Sequence, residues 1–415
     1  MCGMDSCCDY DAGYELPGMG GMDPGRTDKT FLALHISPVN IGEGNTGTIT
    51  ERIRTLRVIV LAQEKDSIEY NKLITLEEKG FTASSFSYSM ILPTVPGHKK
   101  LYFIANEESV NINEESVNIE GEGKLSDWLD KFQPGTDKVV DFETQIKGVY
   151  FSPEYTPDEN GNIYLPYTSY YGNLEAIEGA EAKEITAYLV PVATKFIFNF
   201  TNSREKTVSV KGISLESINS DNYLFAQVGQ IDSCKTFEEE TDLYWVDWLA
   251  KVSKESQKHL GSSQNGSFNE KYGWISDYEM PSTEANKYVF VDEKEVLTIP
   301  GLTSDGTSDP QTVTVGPFYV PESKYLLKKD DTTDDDAPPS GEQVYYLTMG
   351  LEDTVDGKTA PDFTHVPIPN LRALFRNTYV IINVFMSQGD VKVYAEIQDW
   401  NHKKINGWVT EGQKP

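Results

Sequence analysis

The sequence predicts an all-β protein, on three observations. Runs rich in Val, Ile, Tyr, Phe and Thr alternate apolar and polar residues with the two-residue period of strands. Two contrasting strands lie close together near the end of the chain. Its 415 residues exceed one ordinary β-sandwich and suit two, each able to bury its own core. The expected division is a leader over 1–28, an N-terminal sandwich over 29–183 and a C-terminal sandwich over 184–415.

The leader has no periodicity. Cys2, Cys7 and Cys8 crowd its start, while Cys234 stands far off. A disulfide framework would spread its cysteines through the folded regions. Three readings stand: idle thiols, a Cys-rich metal stretch without zinc-ligand spacing, or Cys2 as the lipid-bearing first residue of a mature bacterial lipoprotein. From Asp9 to Asp28, Gly, Pro, Met and Asp make a flexible tether.

Thr30 to Ser37 is the first expected strand, with Leu32, Leu34 and Ile36 on its inner face and His35 pointing outward. A Gly/Asn/Thr loop over 40–50 leads to Arg54–Leu61, whose inner residues are Leu56, Val58 and Val60. Lys99–Asn106 is a further strand. It runs into Asn106–Ile112, which recurs once as Asn113–Ile119, a loop expansion rather than a stacked repeat. Leu125–Phe132 has helical spacing of Trp128, Leu129 and Phe132. Asn160-Gly161 before Ile163 reads as a hairpin turn.

A second block opens with Ile185–Val190, Thr194–Phe200 and Thr207–Leu215 as successive strands. A helix over 241–256 carries Trp245, Trp248, Leu249 and Val252 on one stripe, spaced for packing on a sheet. Thr312–Val315 and Pro317–Glu322 precede an acidic run from Asp330 to Asp336 that ends at Pro338-Pro339, read as a solvated hairpin loop. Nothing in it fixes the carboxylates in a calcium cage. Thr378–Phe385 is apolar on both faces, as a strand in mid-sandwich must be. Asp390–Trp400 puts Val391, Val393, Ala395 and Ile397 on one face. Beyond it an aromatic tail carries Ile405 and Trp408; such a tail can be lent to another molecule's sheet.

The formal charge of −29 argues against nucleic acid and against electrostatic adhesion to anionic lipid, which need clustered Lys and Arg. The five histidines are scattered singly. There is no H-E-x-x-H, G-x-S-x-G or phosphate-binding loop, and paired acids in so acidic a chain nominate no glycosidase. The expectation is a non-enzymatic protein with no cofactor, metal site or catalytic residue.

Several segments in order resemble the fimbrial subunits of Bacteroidales, the FimA/Mfa1-like (type V) pilins. They are Glu51–Val60, Lys99 to Asn106 ending in Ala-Asn, Ile163–Tyr167, Leu189–Phe198, Phe318–Glu322, Phe375–Ile382 and a last strand ending in Trp400. The resemblance implies two transthyretin-like β-sandwich domains in tandem. It implies export as a lipoprotein to the cell surface and outer membrane, with Cys2 as lipid acceptor and the membrane reached only through that anchor. Its partners would be copies of itself or related subunits, and a host or bacterial surface receptor, in adhesion and biofilm formation. In that family a protease cuts after an Arg beyond the first strand, and a neighbour's C-terminal strand fills the groove left behind. The displaced edge strand here would be Thr30–Ser37, with Leu32, Leu34 and Ile36. The donor would lie within Asp390–Trp408, using Val391, Val393, Ala395, Ile397, Trp400, Ile405 and Trp408.

The chain departs from that pattern in one place. The loop over 40–50 has no Arg; the candidates for processing are Arg52 and Arg54, at the border of the next strand. A cut at Arg26 would release only the tether. Either Arg52 or Arg54 is cut, or the first strand is kept, which suits an anchor or tip subunit. A glycan-binding surface lipoprotein is the remaining alternative, on Tyr and Trp content alone.

Overall fold

A computed structural model describes residues 30–38, 49–76, 80–113, 123–177, 182–227, 279–281, 286–302, 310–323, 345–353, 362–368, 371, 373–388 and 390–399. All four cysteines, the expected helix over 241–256, the acidic run from Asp330 to Asp336, and Trp400, Ile405 and Trp408 lie outside these residues, as does nearly all of the second copy of the duplication.

The chain folds mainly as strands. The first half gives β1 (Thr30–Pro38), β2 (Thr50–Ile53), β3 (Thr55–Ala62), β4 (Ser67–Thr75), β5 (Phe81–Thr82), β6 (Tyr88–Thr94), β7 (Gly97–Ala105), β8 (Asn111–Ile112), β9 (Gly123–Lys124), β10 (Tyr150–Phe151), β11 (Asn162–Ile163), β12 (Tyr167–Ala176) and β13 (Lys183–Pro191). Seven of them pair in the order β4-β3-β7-β12-β13-β1-β6. Inward residues from both ends of this order share one core: Leu56, Val58 and Val60 from β3, Leu101 and Phe103 from β7, Leu32, Leu34 and Ile36 from β1, and Leu92 from β6. The sheet is therefore wrapped around its own apolar face. Its two edge strands approach where Thr94 of β6 donates to Glu69 of β4, and Lys99, fully buried, pairs with the same carboxylate at 3.0 Å.

All eight residues of β3 are buried. Its second face, Ile59 and Leu61, joins Tyr102 and Ile104 beneath the helices Leu125–Leu129 and Val139–Ile146. The first helix is shorter than the spacing predicts, because the chain turns after Leu129; Trp128 still meets Phe132 edge-on at 4.9 Å. The second helix was not anticipated, although Val139, Phe142 and Ile146 form its buried stripe. On this face Arg57 is held by both oxygens of Glu107 at 2.6 and 2.7 Å, by Asp130 and by Asn71.

The second half adds β14 (Thr194–Asn202), β15 (Val208–Ile218), β16 (Asn222–Tyr223), β17 (Asn286–Val289), β18 (Leu297–Ile299), β19 (Thr312–Val320), β20 (Tyr345–Asp353), β21 (Asp362–Ile368), β22 (Thr378–Ser387) and β23 (Asp390–Asp399). The sheets β19-β14-β22-β23 and β17-β15-β20-β21 close on a common core, with Phe196, Phe198, Phe200, Val380, Ile382 and Val384 facing Val208, Val210, Leu215, Leu347 and Met349. β22 lies between β14 and β23, the mid-sheet position its apolar sequence predicts.

Two sequence expectations need correction. β13 was placed at the start of the second block, but it pairs in parallel with β1 from Leu32↔Lys183 to Pro38↔Leu189. The chain crosses to the second core between Pro191 and Thr194, because Ile185, Ala187 and Leu189 complete the first core. The turn at Asn160-Gly161 exists, with Asp158 accepting from the Asn160 and Asn162 amides, yet β11 pairs in parallel with β2 rather than in a hairpin. The segments Thr312–Val315 and Pro317–Glu322 share one strand as far as Val320, β19, with a register shift opposite Phe196–Phe198. Gly316 at φ +117° fits there because a Cβ would crowd the Phe196 carbonyl.

Candidate strand-exchange and processing site

The alternation of β1 puts Leu32, Leu34 and Ile36 wholly out of solvent. Each is worth about 1.5–3 kcal/mol of transfer free energy on burial. His35 faces outward, as expected, with its Nδ1 2.9 Å from Ser89 Oγ. The expectation of an edge position is corrected: β1 runs between β13 on one side and β6 on the other. β6 pairs with no other described strand. Removing β1 would thus open an apolar trough, free the ladder of β13 and release β6 together. A strand that replaced it would recover hydrogen bonds along both of its sides, which edge addition cannot give.

The expected processing residues sit at the other end of the loop that follows β1. Arg52 lies in β2, where Arg52↔Thr82 and Ile53↔Phe81 pair with β5. Its Nε donates to Asn162 Oδ1 at 2.6 Å and its guanidinium to the Gly80 carbonyl at 3.2 Å. Gly80, at φ +62°, lets that backbone press against Ile53. The Arg54 guanidinium bonds Glu108 and lies 4.4 Å over the Tyr164 ring.

The backbone is held as firmly. Asn106, fully buried, donates to the Arg52 carbonyl and to the Leu165 carbonyl, each at 2.7 Å, and accepts from the Arg54 amide at 3.0 Å. The Arg54 carbonyl accepts from the Leu76 amide at 2.9 Å. Both carbonyls that a protease would attack after these arginines are therefore engaged inside the fold. No Lys or Arg occurs from Thr30 to Glu51.

The expected donor residues divide. β23 pairs with β22 along its whole length, from Thr378↔Asp399 to Ser387↔Asp390. Val393 and Ala395 are buried in the second core and Val391 packs against it. Ile397 pairs through its backbone with Val380. Lending this strand would open the core that it closes, so these residues serve the chain's own sandwich. Asn106 is a site residue that sequence reasoning used only as the end of a motif. Its signal was a small polar residue directly after an apolar strand, in the left-handed conformation (φ +56°) that Asn tolerates.

Among the described residues no group of His, Cys, Asp and Glu could hold a metal ion, and no helix is long and apolar enough to cross a membrane. Comparison with solved structures finds the tip fimbrial protein Mfa3 of Porphyromonas gingivalis in a C-terminally truncated form. It matches at 12% identity, over 90% of this chain and 100% of that one, with a TM-score of 0.47. A protein described as a cell adhesion protein of Parabacteroides distasonis matches at 12% identity, 90% and 98% coverage and a TM-score of 0.43. A fimbrilin of P. gingivalis matches at 11% identity, with 90% and 98% coverage and a TM-score of 0.40. These neighbours are fimbrial and cell-adhesion proteins. No family model matches the chain, and no curated protein matches it.

Proposed function

We propose that this chain is a structural subunit of a bacterial surface fimbrium, non-enzymatic, exported as a lipoprotein through Cys2, and one that keeps its first strand. The observation that carries the reading is the placement of β1, a nine-residue strand bracketed on both sides over a continuous apolar trough. A strand so placed fills a slot that a neighbour's strand could enter only if β1 left it. Retention of β1 is supported by the engaged Arg52 and Arg54 carbonyls and by the absence of Lys and Arg between β1 and Arg52. A subunit whose slot is filled by its own strand cannot accept a neighbour's, so it ends a fibre as anchor or tip. Its own contribution to the neighbour would come from the residues after Asp399, including Trp400, Ile405 and Trp408.

A second reading, a stalk subunit that loses β1, is favoured by the depth of the trough, since Leu32, Leu34 and Ile36 all fill it. The donor assignment is tested by ending the chain at Asp399. The truncated protein should fold with unchanged thermal stability and fail to join fibres; incorporation at the normal level would overturn the assignment.

A further inference from the structure

The two cores are joined by buried polar groups rather than by apolar contact alone. Glu51 of β2 is 3% exposed, and its Oε1 accepts from Lys195 Nζ of β14 at 2.8 Å and from the Tyr319 hydroxyl of β19 at 2.7 Å. Lys195 is 4% exposed and its ammonium lies 5.9 Å from the ring centres of both Tyr319 and Tyr379. Tyr167 of β12 is fully buried near the same carboxylate, though its hydroxyl and Glu51 Oε2 make no hydrogen bond. Burial first, and the Glu51 charge second, hold its pKa well above the ordinary phenol value. Tyr319 itself packs in the first core although it belongs to a strand of the second.

A second tie lies nearby. Arg376, just before β22, donates to the carbonyls of Tyr223 and Leu224 at 2.7 and 2.9 Å and pairs with buried Glu322. Leu224 belongs to the helical core on the outer face of β3 and β7.

Buried charges are costly unless each finds fixed partners, and fixed partners exist in one relative placement of the two halves. An apolar contact can slide at little cost; a carboxylate shared by an ammonium and a hydroxyl cannot. We infer that Glu51, Lys195 and Tyr319 form a latch that locks the two cores into one rigid body, and that it does so through the segment that follows β1. Glu51 stands one residue before Arg52, so the latch and the Asn106 clamp hold neighbouring residues of the same stretch. The latch stands on these contacts alone and is independent of the fimbrial reading.

The test is a distance measurement by double electron–electron resonance on the full chain. Spin labels go on Ile91→Cys and Val289→Cys, which are 61% and 54% exposed on β6 and β17, with the four native cysteines replaced by serine. The parent should give one narrow distance distribution and a single cooperative thermal transition. Lys195→Met, which is one atom shorter, unbranched and uncharged, should broaden the distribution and separate the transition into two. Tyr319→Phe, which deletes only the hydroxyl and keeps the ring in the core, should broaden it less. A broad distribution in the parent, or an unchanged narrow one in a folded Lys195→Met, would overturn the latch. If Lys195→Met does not fold, Tyr319→Phe decides: broadening supports the latch and no change overturns it.

Discussion

Arg57 shows how a charge can be kept inside an apolar wall. Its guanidinium is 1% exposed between the two oxygens of a wholly buried Glu107, with Asp130 and Asn71 taking further donors. Removing it strands the carboxylate, and burial already pushes the Glu107 carboxyl up. Arg57→Ala should cost about 3–5 kcal/mol by denaturant unfolding, whereas Arg54→Ala, at a half-exposed pair, should cost under about 1 kcal/mol. The Arg57→Ala loss should shrink in acid, where Glu107 takes up a proton. The buried tyrosines set a limit at the other end of the pH scale. Burial raises Tyr102, Tyr155, Tyr167, Tyr319 and Tyr345 above the ordinary phenol value. Their folded pKa values exceed the unfolded one, so their contribution is whole below about pH 10 and is lost as pH rises beyond it. Alkaline titration should show these phenols ionising together with unfolding rather than before it, as followed by phenolate absorbance and circular dichroism.

At the scale of the element, β1 makes the clearest prediction because its two faces differ. Leu34→Ala should destabilise the protein by about 2–5 kcal/mol, by analogy with other fully buried leucines. Phe31→Ala, 42% exposed on the outer face, should lie within about 1 kcal/mol of the parent. Equal effects in urea titrations would mean that β1 does not occupy its slot. The inner face of β1 was legible in the sequence because period-two alternation names the faces of a strand directly. Its neighbours were not, since alternation carries no information about which strand lies alongside. For the same reason β13 was assigned to the wrong core: Ile185, Ala187 and Leu189 would suit either. β3 was read as one-faced because the helices covering Ile59 and Leu61 come much later in the chain. The donor residues Val391, Val393 and Ala395 were correctly placed on one face, but sequence could not say that the face belonged to the chain's own core.

For the whole molecule, the core around β1 and the core around β22 meet at buried polar contacts beside the stretch that carries Arg52 and Arg54. The signal for that junction was present as Lys195 within an otherwise apolar run and Glu51 just before a strand, yet each charge gains meaning only beside the other. The central claim is that the β1 slot is filled by the chain's own strand in the mature protein. Determining the N-terminal sequence and intact mass of the protein recovered from the cell surface tests it most directly. A chain that still contains Thr30–Pro38 is the predicted result; a mature protein beginning at Ile53 or Thr55 would contradict it.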